Sequence, residues 1–134
     1  TEIHLGYPDV VEVAPEELIQ WMNDPTPPLL FDVRAVEEYR VSHLSGAAHR
    51  EQFDDLGVPR TRRIVVYCSV GYRSADAARH LQDLGYTNVY NLAGSIFRWA
   101  NEGRPLVSGG KSTREVHSYD PVWGRYLGAG SQDE

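Results

Sequence analysis

Ile64-Val65-Val66-Tyr67-Cys68-Ser69-Val70-Gly71-Tyr72-Arg73-Ser74 is the stretch that decides the fold. Its first four residues, β-branched or aromatic with no polar alternation, read as a strand buried on both faces, the pattern of a parallel sheet. The segment from Ala75 to Leu84 then places Ala77, Leu81 and Leu84 at i, i+4 and i+7 and reads as a helix stopped by Gly85. The short loop between them opens with Cys68, the chain's single cysteine. The thiol therefore falls at the carboxyl end of a strand, and its loop feeds a helix N-terminus, whose unpaired N–H groups and dipole favour an anion such as a thiolate.

The plainer alternative is a small buried cysteine that packs like a hydrophobe. Two neighbours oppose it. Gly71 lets the backbone turn where a side chain would clash. Arg73 is expected to bring a fixed positive charge back to the thiol, an electropositive setting that favours the thiolate.

Outward from this stretch, strand and helix patterns alternate, as in an α/β domain with a largely parallel sheet. Val10-Val11-Glu12-Val13 reads as a strand. Pro15 opens a helix with Glu16 and Glu17 in its first turn and Leu18, Trp21 and Met22 as its apolar stripe. Asp24 to Pro28 forms a stiff loop. Leu29-Leu30-Phe31-Asp32-Val33 is a second strand, with a short helix from Ala35 to Val41. A brief strand is predicted around Ala47-Ala48-His49 and a helical turn near Gln52 to Leu56. Asn88 to Leu92 is the last strand, and Ser95 is expected to cap a helix through Asn101. From Pro105 onward the alternation stops, yet Tyr119 to Leu127 is too aromatic for a solvated tail.

A chain of 134 residues suits one domain with its own core. With one cysteine no intramolecular disulfide forms, and a free thiol suits a reducing compartment, which points to the cytoplasm. Because the chain begins at Thr1, removal of a targeting segment stays open. A net charge of −6 offers no electrostatic footprint for nucleic acid or an anionic membrane, and no apolar run is long enough to span a bilayer.

The loop Cys68 to Ser74 resembles that of single-domain rhodaneses, which are sulfurtransferases, and two further segments extend the likeness. Leu30-Phe31-Asp32-Val33-Arg34 with Glu38-Tyr39 and His43-Leu44-Ser45-Gly46-Ala47 is similar to the family's amino-terminal signature. Val89 to Ser95 with Trp99 is similar to its carboxyl-terminal one. Ser45, Arg50, Ile96 and Arg98 depart from the usual pattern. The resemblance implies a rhodanese-like α/β fold, with about five mostly parallel strands between helices, in a domain spanning 1–106. Residues 107–134 are expected to form an extension packed on it.

The resemblance also implies a reaction that requires no cofactor and no metal. The Cys68 thiolate would take the outer sulfur of thiosulfate or a related donor and pass it from a persulfide to cyanide, a small thiol or a protein thiol. Backbone N–H groups of Ser69, Val70, Gly71, Tyr72 and Arg73, with Ser74 closing the loop, would cradle the sulfur, and the Arg73 guanidinium would hold the donor's oxygens. Asp32 supports the loop. Arg34 either faces the crevice at the strand ends or pairs with Glu38. His43 is expected to anchor a turn, since its spacing to His49 matches no common zinc pattern, and His80 to be solvated.

Two rivals are weighed. Phosphatases of related fold need five residues between cysteine and arginine, and this chain has four, a ring too tight for a four-oxygen anion. A sulfur carrier or regulatory module that docks a partner, with little turnover of free thiosulfate, would carry the same loop.

Overall fold

A computed structural model describes residues 10–108 and 111–113. In chain order the elements are β1 (Val11–Val13), α1 (Pro15–Met22), β2 (Leu29–Asp32), α2 (Val36–Val41), β3 (Ala48–His49), the 3-10 turns Arg50–Gln52 and Asp54–Leu56, β4 (Ile64–Tyr67), α3 (Tyr72–Asp83), β5 (Val89–Leu92), α4 (Ser95–Asn101), β6 (Leu106–Ser108) and β7 (Lys111–Thr113). The first five strands form one sheet in the order β1-β5-β4-β2-β3, and every pairing in it is parallel.

All four residues of β4, the central strand, are buried. Side chains of a strand alternate between faces, so β4 feeds two cores. Val65 and Tyr67 join Leu18 of α1 and Ile96, Phe97 and Trp99 of α4 on one side. Ile64, Val66 and then Cys68 join Ala78 and Leu81 of α3 on the other, with Phe53 packed against them. Burying each large apolar side chain contributes roughly 1.5–3 kcal/mol. The helices thus lie on both faces, as expected. The α3 face, however, is completed by the short 3-10 turns.

Four details differ from the sequence reading. Helix α3 starts at Tyr72 rather than Ala75, with Gly71 preceding it at φ 118°. Its buried stripe is Ser74, Ala75, Ala78 and Leu81, and Leu84 is exposed at the C-cap, one residue past the helix. Ser95 is not a cap: it is the first residue of α4, after Gly94, and its side chain turns to the loop after β4. The pattern also continues past Pro105. Strands β6 and β7 pair antiparallel, and Val107 exchanges backbone hydrogen bonds of 2.9 Å with His43. The aromatic stretch 119–127 lies outside the described residues.

The departures at Ser45 and Arg50 leave the path intact. β3 still pairs with β2, Phe31 opposite Ala48 and Asp32 opposite His49.

At the carboxyl end of β2 lies a fully buried ion pair. Asp32 Oδ2 accepts from Arg34 Nη2 at 2.6 Å, and Asp32 Oδ1 accepts from the Arg34 backbone N–H at 2.9 Å and from Nε at 3.0 Å. Arg34 Nη2 also donates to the Ser42 carbonyl at 2.6 Å, and the His49 ring meets the Arg34 carbonyl at 2.6 Å. Burial alone would lower the Arg34 pKa; the Asp32 carboxylate outweighs it, and the net displacement is upward. Arg34 is therefore a fold residue. It does not pair with Glu38: Asp32, two residues back, takes Nε and Nη2, Nη2 also reaches Ser42, and Nη1 is buried without a hydrogen-bond partner among the described residues. His43 anchors a turn, its Nδ1 3.0 Å from the Tyr39 carbonyl and its ring stacked on Tyr39.

Removing one member of a buried pair strands the other's charge, which costs about 3–5 kcal/mol. Asp32→Asn is accordingly expected to lower the urea unfolding free energy by about that amount, and a loss below about 1 kcal/mol would show that Arg34 is satisfied without the carboxylate.

Candidate active site

The loop after β4 is held from the outside by α4. The Ile96 N–H donates to the Cys68 carbonyl at 3.1 Å, the Phe97 N–H donates to the Ser69 carbonyl at 3.0 Å, and the Cys68 N–H donates to Ser95 Oγ at 3.1 Å. These first-turn amides have no partner within their own helix, so the loop satisfies donors that would otherwise be orphaned. Ser95 accepts the strain of φ 50° to make its contact, the one non-glycine residue with positive φ among those described.

A trans peptide points its carbonyl and the following N–H in opposite directions. With the Cys68 and Ser69 carbonyls drawn to α4, the Ser69 and Val70 N–H groups are directed away from it. Further along, Asn91 of β5 donates from Nδ2 to the Gly71 carbonyl at 3.1 Å. The next amides converge on the thiol. The Gly71 N–H donates to Cys68 Sγ at 3.1 Å and the Ser74 N–H at 3.4 Å.

Ser74 Oγ also lies 3.4 Å from Sγ, but it is 2.6 Å from Asn91 Oδ1. A hydroxyl has one proton to give. The shorter contact takes it, leaving two backbone amides as the sulfur's donors. Gly71 makes the geometry attainable, because its φ of 118° belongs to a region that side-chain-bearing residues avoid. Cys68 itself is 1% exposed, whereas Val70 is half-buried and Tyr72 is exposed.

Arg73 is placed differently from the sequence expectation. Its guanidinium is turned to Ser69 Oγ at 3.2 Å and to Glu38 Oε1 at 3.5 Å, at the rim of the loop. Much of its charge is therefore shared with a carboxylate before any reactant arrives. Glu38 is 3% exposed and ties three segments together: Oε1 accepts from the Ala35 N–H at 3.0 Å, and Oε2 lies 3.4 Å from Ser69 Oγ. Helix α2 thereby reaches the loop.

The structure thus gathers Cys68, Ser69, Gly71, Arg73 and Ser74 around one point, with Val70 and Tyr72 at the rim. Asp32 and Arg34 stand apart as a brace beneath it. Glu38, Asn91 and Ser95 complete the cluster, and sequence reasoning assigned them only structural or no roles. A signal existed for Asn91, since an amide inside an otherwise apolar strand needs a partner when buried.

Residues 14–102 match the family described as a rhodanese-like domain. A sulfurtransferase of Allochromatium vinosum is 34% identical over 103 residues, covering 74% of this chain and 96% of its own length. A tRNA sulfurtransferase of Desulfurococcus amylolyticus is 33% identical over 96 residues, 68% of this chain but only 20% of that protein. Among solved structures, a rhodanese-related protein of Thermoplasma volcanium superposes with a TM-score of 0.62 at 25% identity, covering 72% of this chain and 97% of its own. The fold also matches a thiosulfate sulfurtransferase of Pseudomonas aeruginosa, with a TM-score of 0.66 at 24% identity over 90% of this chain and 26% of that one. On the family match and the full-length relative, this chain belongs to the rhodanese-like sulfurtransferase family.

Proposed function

We propose that the protein is a thiosulfate sulfurtransferase in which Cys68 carries the sulfur as a persulfide. The observation that supports this most directly is the pair of backbone amides, Gly71 and Ser74, aimed at Sγ from a loop whose carbonyls are tied outward. Such donors stabilise negative charge on sulfur without reorganising as it forms.

In the first half of the cycle the Cys68 thiolate attacks the outer sulfur of thiosulfate. The new S–S bond forms as the bond to the sulfonate sulfur breaks, and sulfite leaves with that electron pair. The Ser69 and Val70 N–H groups, directed away from α4, are then available to the second sulfur atom. In the second half a cyanide, a small thiolate or a protein thiolate attacks this outer sulfur, and Cys68 departs as thiolate. Every charge in the cycle is negative, so one cation at the rim suffices. Arg73 supplies it, and the planar fork suits the donor's oxygens.

Glu38 acts through Arg73. By pairing with the guanidinium and with Ser69 Oγ it fixes where the fork points. The loop length argues against the phosphatase alternative on size, as four residues separate Cys68 from Arg73.

Mass measurement of the intact protein after thiosulfate treatment should show the gain of one sulfur atom, lost again on adding cyanide. Cys68→Ser should keep the native circular dichroism and gain no sulfur. Transfer by that variant above a trace would exclude the persulfide route.

Arg73→Ala should raise the KM for thiosulfate about tenfold, the low end for a charge-assisted pair because the guanidinium is partly exposed. Glu38→Gln, which keeps a hydrogen-bonding side chain but removes the competing charge, should lower it by a smaller factor. If Glu38 works through Arg73, the double variant should be no worse than Arg73→Ala alone, whereas multiplied effects would give Glu38 an independent role.

A further inference from the structure

Asn91 is the one polar residue that β5 buries completely, and the sheet holds its backbone from both sides, opposite Glu12 of β1 and Val66 of β4. Its amide is oriented by the chemistry around it. Nδ2 lies 3.1 Å from the Gly71 carbonyl, which only accepts, so the amino end faces that carbonyl and Oδ1 faces Ser74. The reverse orientation would set two acceptors against each other in a buried site.

Ser74 Oγ has four polar neighbours: Asn91 Oδ1 at 2.6 Å, the Gly71 carbonyl at 3.3 Å, Cys68 Sγ at 3.4 Å and Ser95 Oγ at 3.5 Å. Oδ1 is much the nearest and accepts only, so the hydroxyl proton lies toward it. Ser95 has a closer acceptor for its own proton in the Leu92 carbonyl at 3.3 Å. What Ser74 presents to the sulfur is then its oxygen and not its proton. A thiol has a proton to give to that oxygen, and a thiolate has none. The contact therefore favours the neutral thiol, against the Gly71 and Ser74 N–H groups, which favour the anion.

From this network we infer that Asn91 is a positioning residue for sulfur transfer: by holding the Ser74 proton it makes the Ser74 hydroxyl an acceptor at Cys68 and biases the resting sulfur toward the thiol. The inference rests on the reading of Cys68 as the nucleophile and adds how its charge is set. Ionisation breaks the S–H bond, sends the proton to solvent and gives up the contact with Ser74. Once the sulfur is loaded, Sγ carries no proton and the hydroxyl still offers it none, so charge on sulfur is met by backbone amides alone. Because the thiolate is the reactive form, the same bias guards the only cysteine between turnovers.

Alkylation of Cys68 by a neutral reagent, followed against pH, reads the thiolate fraction without any sulfur donor. The charged groups around the loop stay in place throughout: Arg73 and Glu38 at its rim, Asp32 and Arg34 at the end of β2, and Asp76 and His80 along α3. Ser74→Ala removes the accepting oxygen and keeps the backbone N–H. It should move the midpoint of the profile down by about half a pH unit, roughly threefold more thiolate below the midpoint. A hydroxyl that donated to the sulfur would give the opposite sign, so an upward move, or none, overturns the inference. Asn91→Leu should release the Ser74 proton to the sulfur, and adding Ser74→Ala to that variant should then raise the midpoint. A purely structural role does not reverse the sign between backgrounds, and the same direction in both would overturn the part given to Asn91. Should Asn91→Leu lose the native circular dichroism, Asn91→Ala takes its place in the same comparison.

Sulfur transfer supplies the second readout. At about one pH unit below the midpoint, single-turnover loading of Ser74→Ala by thiosulfate should quicken about twofold, less than the gain in thiolate because a less basic sulfur is a weaker nucleophile. The thiosulfate concentration for half-maximal loading should not change, as Arg73 is untouched. A shifted alkylation profile with unchanged loading would overturn the role in transfer. Failure of the unmodified protein to load would instead overturn the sulfurtransferase reading, with the direction of the Ser74 proton still decided by alkylation.

Discussion

The hydrogen bonds from the first turn of α4 to the carbonyls of Cys68 and Ser69 are the constraint on which the site depends. A loop left to itself would satisfy its amides and carbonyls with water or with one another. Here the carbonyls are removed to one side, and peptide planarity turns the adjacent amides the other way. An anion-binding cradle follows without any cationic side chain in it. The interaction also satisfies α4, whose first amides would otherwise be buried without acceptors. Site and fold are thus stabilised by the same bonds, which explains why Ser95 is held at a backbone angle that costs on the order of 1–3 kcal/mol.

Beneath the loop, charge is arranged in two tiers with different duties. Asp32 and Arg34 are fully buried, and each compensates the other through several hydrogen bonds. That pair joins the end of β2 to the chain at Ser42 and, through His49, to β3. Its field reaches Tyr67 on the neighbouring strand, whose phenol is pushed well above its usual range, first by burial and then by the Asp32 charge. Glu38 and Arg73 form the outer tier. Only one member of it is buried, so the guanidinium can exchange partners at a modest cost.

Much of this organisation was legible in the residues. Ile64 to Tyr67 could be placed centrally because four successive apolar residues need cover on both faces, and the thiol followed as the next residue. The first turn of α3 was not legible. Tyr72, Arg73 and Ser74 are individually poor core residues, and Ser74 is buried for its contacts with Asn91 and Cys68 rather than for apolar area. The spacing from Ala77 places Leu81 correctly on the inward stripe, but Ala78 rather than Ala77 is the buried alanine, and Leu84 is the exposed C-cap residue. The β6-β7 hairpin carried a signal, Gly109-Gly110 between short extended runs, but the runs are three residues each and mostly polar. Their order depends on Leu106 in the core and on the bridge to His43, which no local pattern announces. Glu38 was likewise hidden. Its role depends on Ser69 and Arg73, more than thirty positions away.

The pairing of Arg73 with Glu38 bears on how a single cation can serve both halves of the proposed cycle. An uncompensated guanidinium would bind thiosulfate well but would grip the departing sulfite as well, since both are dianions of similar shape. It would also hold the acceptor's thiolate away from the persulfide. A carboxylate 3.5 Å from the guanidinium competes with each anion in turn. Binding then gains only the difference between two pairings, which lowers affinity for donor and product together and shortens the lifetime of the product complex. Stabilisation of the sulfur itself is unaffected, because it comes from the Gly71 and Ser74 amides, which the carboxylate does not contact. Separating the two tasks lets the rim be tuned for release while the cradle keeps its hold on the sulfur.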